Sequence, residues 1–134
     1  MSETVVNKPA IAKFVREVLG CTCPDEVFDF IRVEPNPGTL GYLPQGYLLI
    51  IGGRLLVYVI KTEDWASIEG KLEQIFNWGR KRRDAGKFNR FRLVVATPDY
   101  DPAQQTLSQE FDCLVDIDAR LHVHVITPED LPVF

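Results

Sequence analysis

The sequence predicts an α/β fold: a single domain built on a mixed β-sheet, with elements in the order α-β-β-β-α-β-α-β. Three observations predict it. Gly52-Gly53 stands between two apolar, β-rich runs at 47–51 and 54–60, and both central residues of a type I′ hairpin turn need positive φ. Both runs are apolar at nearly every position, which implies burial on two faces and helices packed over the sheet. Two helix-then-strand units follow the hairpin, and each such crossover adds a strand.

Each element has its own signal. Ile11, Phe14, Val15, Val18 and Leu19 fall at i, i+3, i+4, i+7 and i+8, one face of a helix, with Asn7 and Pro9 suiting its start and Gly20 its stop. Pro24 opens a short helical turn, with Asp25 and Glu26 in its positive first turn. Phe28, Phe30 and Ile31 lead into a first strand ending near Glu34, and Pro35, Pro37, Gly38 and Gly41 make the next segment a loop. After the hairpin, Thr62, Glu63 and Asp64 begin a helix whose buried stripe is Trp65, Ile68, Leu72, Ile75 and Phe76. It frays near Lys81, where cations suit the negative helix end. A strand follows at 91–96, then a helix opened by Asp101-Pro102. A last strand covers 121–126, and Thr127-Pro128-Glu129-Asp130 starts a final turn.

The chain has 134 residues, 46% of them hydrophobic, which suits one domain with one real core. No window approaches the ~18 continuous apolar residues of a membrane span. The polar first eight residues contain no apolar h-region, so the default compartment is the cytoplasm. Three cysteines, an odd number, argue against a stapled secreted scaffold. The net charge of -4 gives no general attraction for nucleic acid. The charge is uneven, however. Arg80, Lys81, Arg82, Arg83, Lys87, Arg90 and Arg92 stand together with only Asp84 among them. Such a run can neutralise phosphates without reading bases, and Trp78, Phe88 and Phe91 lie near enough to offer stacking faces. The plainer reading is a solvated helix end whose aromatics belong to the core.

The element order resembles the core of the PD-(D/E)XK nucleases, the restriction-endonuclease-like fold, which runs αβββαβ. Val59-Ile60-Lys61 sits where that family carries (D/E)-x-K at the end of its third strand, with Lys61 matching the lysine. On the next helix Leu72, Gln74 and Trp78 look like its Q-L-x-x-Y pattern, with Gln74 matching the glutamine. The likeness covers residues 27–126 in layout. It implies a Mg²⁺-dependent phosphodiesterase, whose clustered carboxylates hold the ion and orient water. The departures are chemical. Val59 stands where the metal-binding acid belongs, and no Asp or Glu occurs from 35 through 62. Glu34, Glu69 or Glu73 would have to substitute. The alternative layout is ribonuclease-H-like, βββαβαβ, which would cast Asp29 or Glu34, Glu69 or Glu73, and Asp99 as ligands. Asp99 and Asp101 read more simply as turn and cap residues.

Two further sites stand apart from that resemblance. Cys21-Thr22-Cys23-Pro24 places Cys23 at a helix N-terminus, where backbone N–H groups favour a thiolate. The pair is a candidate reactive or metal-binding motif, or simply two small apolar residues at a tight junction. His122 and His124 alternate along the last strand and so share a face. Joined by Cys113 or by Cys21 and Cys23, they would suit Zn²⁺.

The expectation from sequence is therefore a non-catalytic binding or interaction module on a nuclease-like fold, with no required cofactor. Its partner would be nucleic acid, through the basic run, or another protein. Exposed sheet edges and the aromatic-rich hairpin would also permit a homodimer. A thiol or zinc protein and a divergent Mg²⁺ nuclease are the alternatives.

Overall fold

In a computed structural model, which describes residues 8–20, 24–36, 38, 44–114 and 120–132, five strands form one open sheet in the order β1-β2-β3-β4-β5. They are β1 (Ile31–Asn36), β2 (Gly46–Ile51), β3 (Leu55–Lys61), β4 (Arg90–Ala96) and β5 (Leu121–Ile126). The first three are antiparallel neighbours; β4 pairs parallel to β3 and β5 parallel to β4. The mixed sheet is thus the one the sequence predicts.

The hairpin turn sets the register. Gly52 and Gly53 adopt φ of 59° and 65°, and Arg54 N–H closes the turn onto the Ile51 carbonyl at 3.1 Å. Alternation then divides β3 between two cores. Leu55, Val57 and Val59 face the N-terminal helix α1 (Lys8–Lys13), while Leu56, Tyr58 and Ile60 face α2 (Leu72–Ala85) and α3 (Tyr100–Asp112). All six are buried, which is why β3 shows no polar face in sequence. The result is three layers, with α1 on one side of the sheet and α2 with α3 on the other.

Four boundaries differ from the sequence reading, each for a local reason. The N-terminal helix does not stay α-helical to Leu19. Phe14–Val18 is a π-helical segment, closed by Leu19 N–H on the Phe14 carbonyl, and Gly20 at φ 71° ends it as expected. Pro35 belongs to β1 rather than to the loop; an edge strand tolerates its missing N–H. The stripe from Trp65 to Phe76 packs as predicted but is not one helix. Trp65–Ser67 is a single tight turn, Gly70 at φ 82° reverses the chain, and α2 begins at Leu72. The Glu110 carboxylate of α3 receives the N–H groups of Gly70 and Leu72, so the free donors at the start of α2 are capped from another helix.

Lastly, α2 runs past Lys81 to Ala85 and stops in a Schellman arrangement. Phe88 N–H donates to the Arg83 carbonyl at 2.8 Å and Lys87 N–H to the Asp84 carbonyl at 3.3 Å. Lys87 fills the left-handed position with φ 57° where glycine is at ease. Lys87→Gly is accordingly expected to stabilise the chain by roughly 1 kcal/mol, read as a raised urea midpoint.

Within α2, Gly79 lies against the fully buried Phe91 ring. A Cβ there would meet ring carbons at 2.5 Å, and the ring is held edge-on by Phe76 and Trp78. Gly79→Ala therefore trades a helix-propensity gain of ~1 kcal/mol against overpacking of ~1–3 kcal/mol. The expected net result is a lowered Tm, whereas a raised Tm would mean that the ring moves freely.

Candidate functional site

The carboxyl ends of β3, β4 and β5 lie side by side, the edge at which open α/β sheets place their ligands. Lys61 ends β3 there. It pairs with Ala96 across the ladder, and its side chain is exposed. Two residues earlier, Val59 is 1% exposed, flanked by Tyr47 on β2 and Val94 on β4. It packs in the same apolar cluster as Leu49, Val57, Val94 and Ala96. The acid-x-lysine position is thus filled by core.

One acid does approach the amine. Glu129, in the turn after β5, keeps its carboxyl below the ordinary range, mainly through its own backbone N–H, then through the Thr127 hydroxyl, with a smaller contribution from the charge of Lys61. Glu129 is exposed. Glu34 is held by Arg32 at 3.0 Å and by Arg82 at 3.6 Å. Asp29, Glu69, Glu73 and Asp99 are exposed, as is Gln74. Among the described residues, no group of three or more His, Cys, Asp or Glu side chains stands together as a metal-ligand set.

The basic run is dispersed by the fold. Arg83 is 6% exposed, with its Nε donating to the Asp84 carboxylate at 3.1 Å. Its burial was legible as a pattern, since 72, 75, 76, 79 and 83 continue a single helical stripe. Arg82 reaches Glu34 and also lies over the Trp78 ring at 5.5 Å, while Arg80 donates to the Asn77 side chain at 2.7 Å. Lys81, Lys87 and Arg90 are exposed. The aromatics serve the core: Phe91 is fully buried, Trp78 packs edge-on against Tyr58, and Phe88 joins the same cluster.

Arg92 leaves the run altogether. It points to the α1 side of the sheet and is 5% exposed. One terminal nitrogen donates to the Leu19 carbonyl at 3.1 Å and lies 2.8 Å from Nε2 of His124. A guanidinium only donates, so this Nε2 must be the unprotonated acceptor and Nδ1 must carry the proton. Burial first, then the charge of Arg92, then His122, lower the His124 pKa to about 4. Burial, followed by Arg90, also lowers the Arg92 pKa. His122 and His124 do share a face, with ring centroids 6.4 Å apart. The Nε2 lone pair of His124 is nonetheless committed to a cation rather than offered to a metal. Sequence placed both residues among its candidates but gave no sign of their pairing, which depends on the β4–β5 register.

Cys113 is a free, exposed thiol after α3, on the face of the sheet opposite the two histidines. Cys21 and Cys23 lie outside the described residues. Among the described residues no helix is long and apolar enough to cross a membrane. No family model, curated protein or solved structure matches the chain.

Proposed function

We propose that this chain is a non-catalytic binding module on a restriction-endonuclease-like scaffold, and that its partner is a polypeptide rather than a nucleic acid. The observation that carries the reading is the burial of Val59 beside an exposed Lys61. A metal-dependent phosphodiesterase needs a carboxylate in that place, open to solvent and ion. Here the place is sealed in the apolar layer under α1. The strand order, the helix between β3 and β4, and the lysine ending β3 support the scaffold assignment.

The choice of partner follows from the cations. Arg83 and Arg92 are buried, and Arg82 is paired with Glu34. Besides these, the run leaves Lys81, Lys87 and Arg90 exposed, fewer than the roughly 6–10 phosphate contacts that give tight, salt-steep binding.

Incubation with plasmid and single-stranded DNA in Mg²⁺ and Mn²⁺ is expected to give no cleavage. Cleavage abolished by Lys61→Ala would overturn the non-catalytic reading. Short duplexes and single strands are expected to bind weakly. Tight binding with a steep salt dependence, relieved by replacing Lys81 and Arg90 with alanine, would instead make nucleic acid the partner.

A further inference from the structure

We propose that the outer edge of β5 is a strand-addition site, which binds an extended segment of a partner protein by continuing the sheet. The backbone parity of β5 is fixed by its bonds to β4. Phe91 N–H donates to the Arg120 carbonyl at 3.1 Å, and Thr97 N–H to the Ile126 carbonyl at 2.9 Å. Even-numbered residues therefore turn their backbone groups toward β4. Leu121, Val123 and Val125 turn theirs outward, where among the described residues no strand meets them.

The two edges of the sheet are treated differently. β1 carries Arg32, Glu34 and Pro35, the charges and proline that blunt an edge against pairing. β5 reads Leu-His-Val-His-Val-Ile, without proline, acid, lysine or arginine, and four of its six residues are only partly buried. A groove of about 520 Å³ runs along it, floored by residues 123–127. One wall is a single face of α3, formed by Tyr100, Gln104 and Ser108 at i, i+4 and i+8; Val18 and Asp130 contribute the other. An open strand edge beside a helix wall is a receptor for one added strand.

The geometry selects the occupant. A second copy of this chain, brought edge to edge by a two-fold axis, would carry its own α3 to the same side of the sheet. Because Tyr100, Gln104 and Ser108 bring a face of α3 to this edge, the two copies of that helix would meet above strands only ~4.8 Å apart, whereas packed helices need ~8–10 Å. A bare extended segment has no such conflict. Its alternate side chains would rest on Val123, Val125 and Tyr100 on one side and on Val18 and Ile126 on the other, so the groove suits small or branched apolar residues. Asp130 at one end calls for a cationic residue there. This inference rests on the binding-module reading but fails separately from it, because DNA cleavage bears on Lys61 and leaves the β5 edge untouched.

The test pans a random phage-displayed peptide library against the full chain and resynthesises the selected peptides with N-methyl groups on either set of alternate amides. The selected peptides are expected to be rich in β-branched residues, with Lys or Arg near one end. Methylation of one set should cost about tenfold or more in affinity while the other set costs little, because only alternate amides face β5. Val123→Pro deletes an outward N–H that an edge strand can spare, so it should keep the fold by circular dichroism and lose a similar factor in binding. Should that variant not fold, Asp130→Lys serves instead and should discriminate against the cationic peptides. The proposal is overturned if no peptide is selected, or if binding ignores the methylation frame and the variants. It is equally overturned if the chain sediments as a dimer that Val123→Lys converts to monomer, since the edge would then belong to a second copy.

Discussion

Val59→Asp is expected to unfold or severely destabilise the chain, although it restores the acid-x-lysine spacing two residues before Lys61. Val59 is 1% exposed, with Tyr47 and Val94 beside it in the ladder and Leu49, Val57 and Ala96 in its cluster. Only Tyr47 among these carries a polar group, a half-exposed phenol, and none carries the positive charge that would offset a buried carboxylate. An unpaired charge at such a site costs at least ~3–5 kcal/mol, a large part of the total stability of a small domain. The buried carboxyl would respond by protonating, which removes it as a metal ligand at neutral pH. Urea denaturation at neutral pH measures the loss, and Val59→Thr separates the effect of charge from that of shape. A stable, Mg²⁺-binding Val59→Asp protein would show that the position is a dormant catalytic pocket and would reverse the functional reading.

The second large effect is a loss of stability in mild acid that passes through one ring. The folded-state pKa of His124 is lowered from 6.5 to about 4, so the native state binds this proton more weakly than the unfolded chain does. Its contribution is fully present above about pH 6.5 and is lost as pH falls from there toward 4. Protonation would put a second cation against Arg92 and end the acceptor role of Nε2, 2.8 Å from the guanidinium. The gap corresponds to ~3 kcal/mol at its acid limit. Urea midpoints taken between about pH 7 and about pH 4.5 should fall more steeply for the native chain than for His124→Gln, which keeps an acceptor and cannot titrate. The surface carboxylates are common to both proteins, so parallel curves would show that the ring is protonated without cost.

These two sites also mark where sequence reading stopped. The hairpin was legible because its signal is local: two glycines between apolar runs, each condition met within a few residues. β5 and the stripe from Trp65 to Phe76 were legible for the same reason, through period two and period 3.6. The break at Gly70 was not, because the stripe continues across it, and what stabilises the new helix start is Glu110, about 40 positions away in the chain. The Arg92–His124 contact was hidden differently. Both residues stood out, one in a basic run and one as a ligand candidate, but their meeting is a consequence of strand register between β4 and β5. The sequence shows no Asp or Glu from 35 through 62, but it gave no hint that Glu129 would come near Lys61 from the far end of the chain.

The sheet order has a kinetic consequence. Every strand lies beside the one made just before it, so none has to be threaded between two already in place. The β2–β3 hairpin, closed by its two glycines, can form within microseconds and present a ready template. β4 and β5 then dock in turn as each crossover helix emerges, and closing those loops is the slow, entropy-limited part of the search. Assembly can thus keep pace with synthesis from the ribosome, and the outer edge of β5 is the last to be laid down.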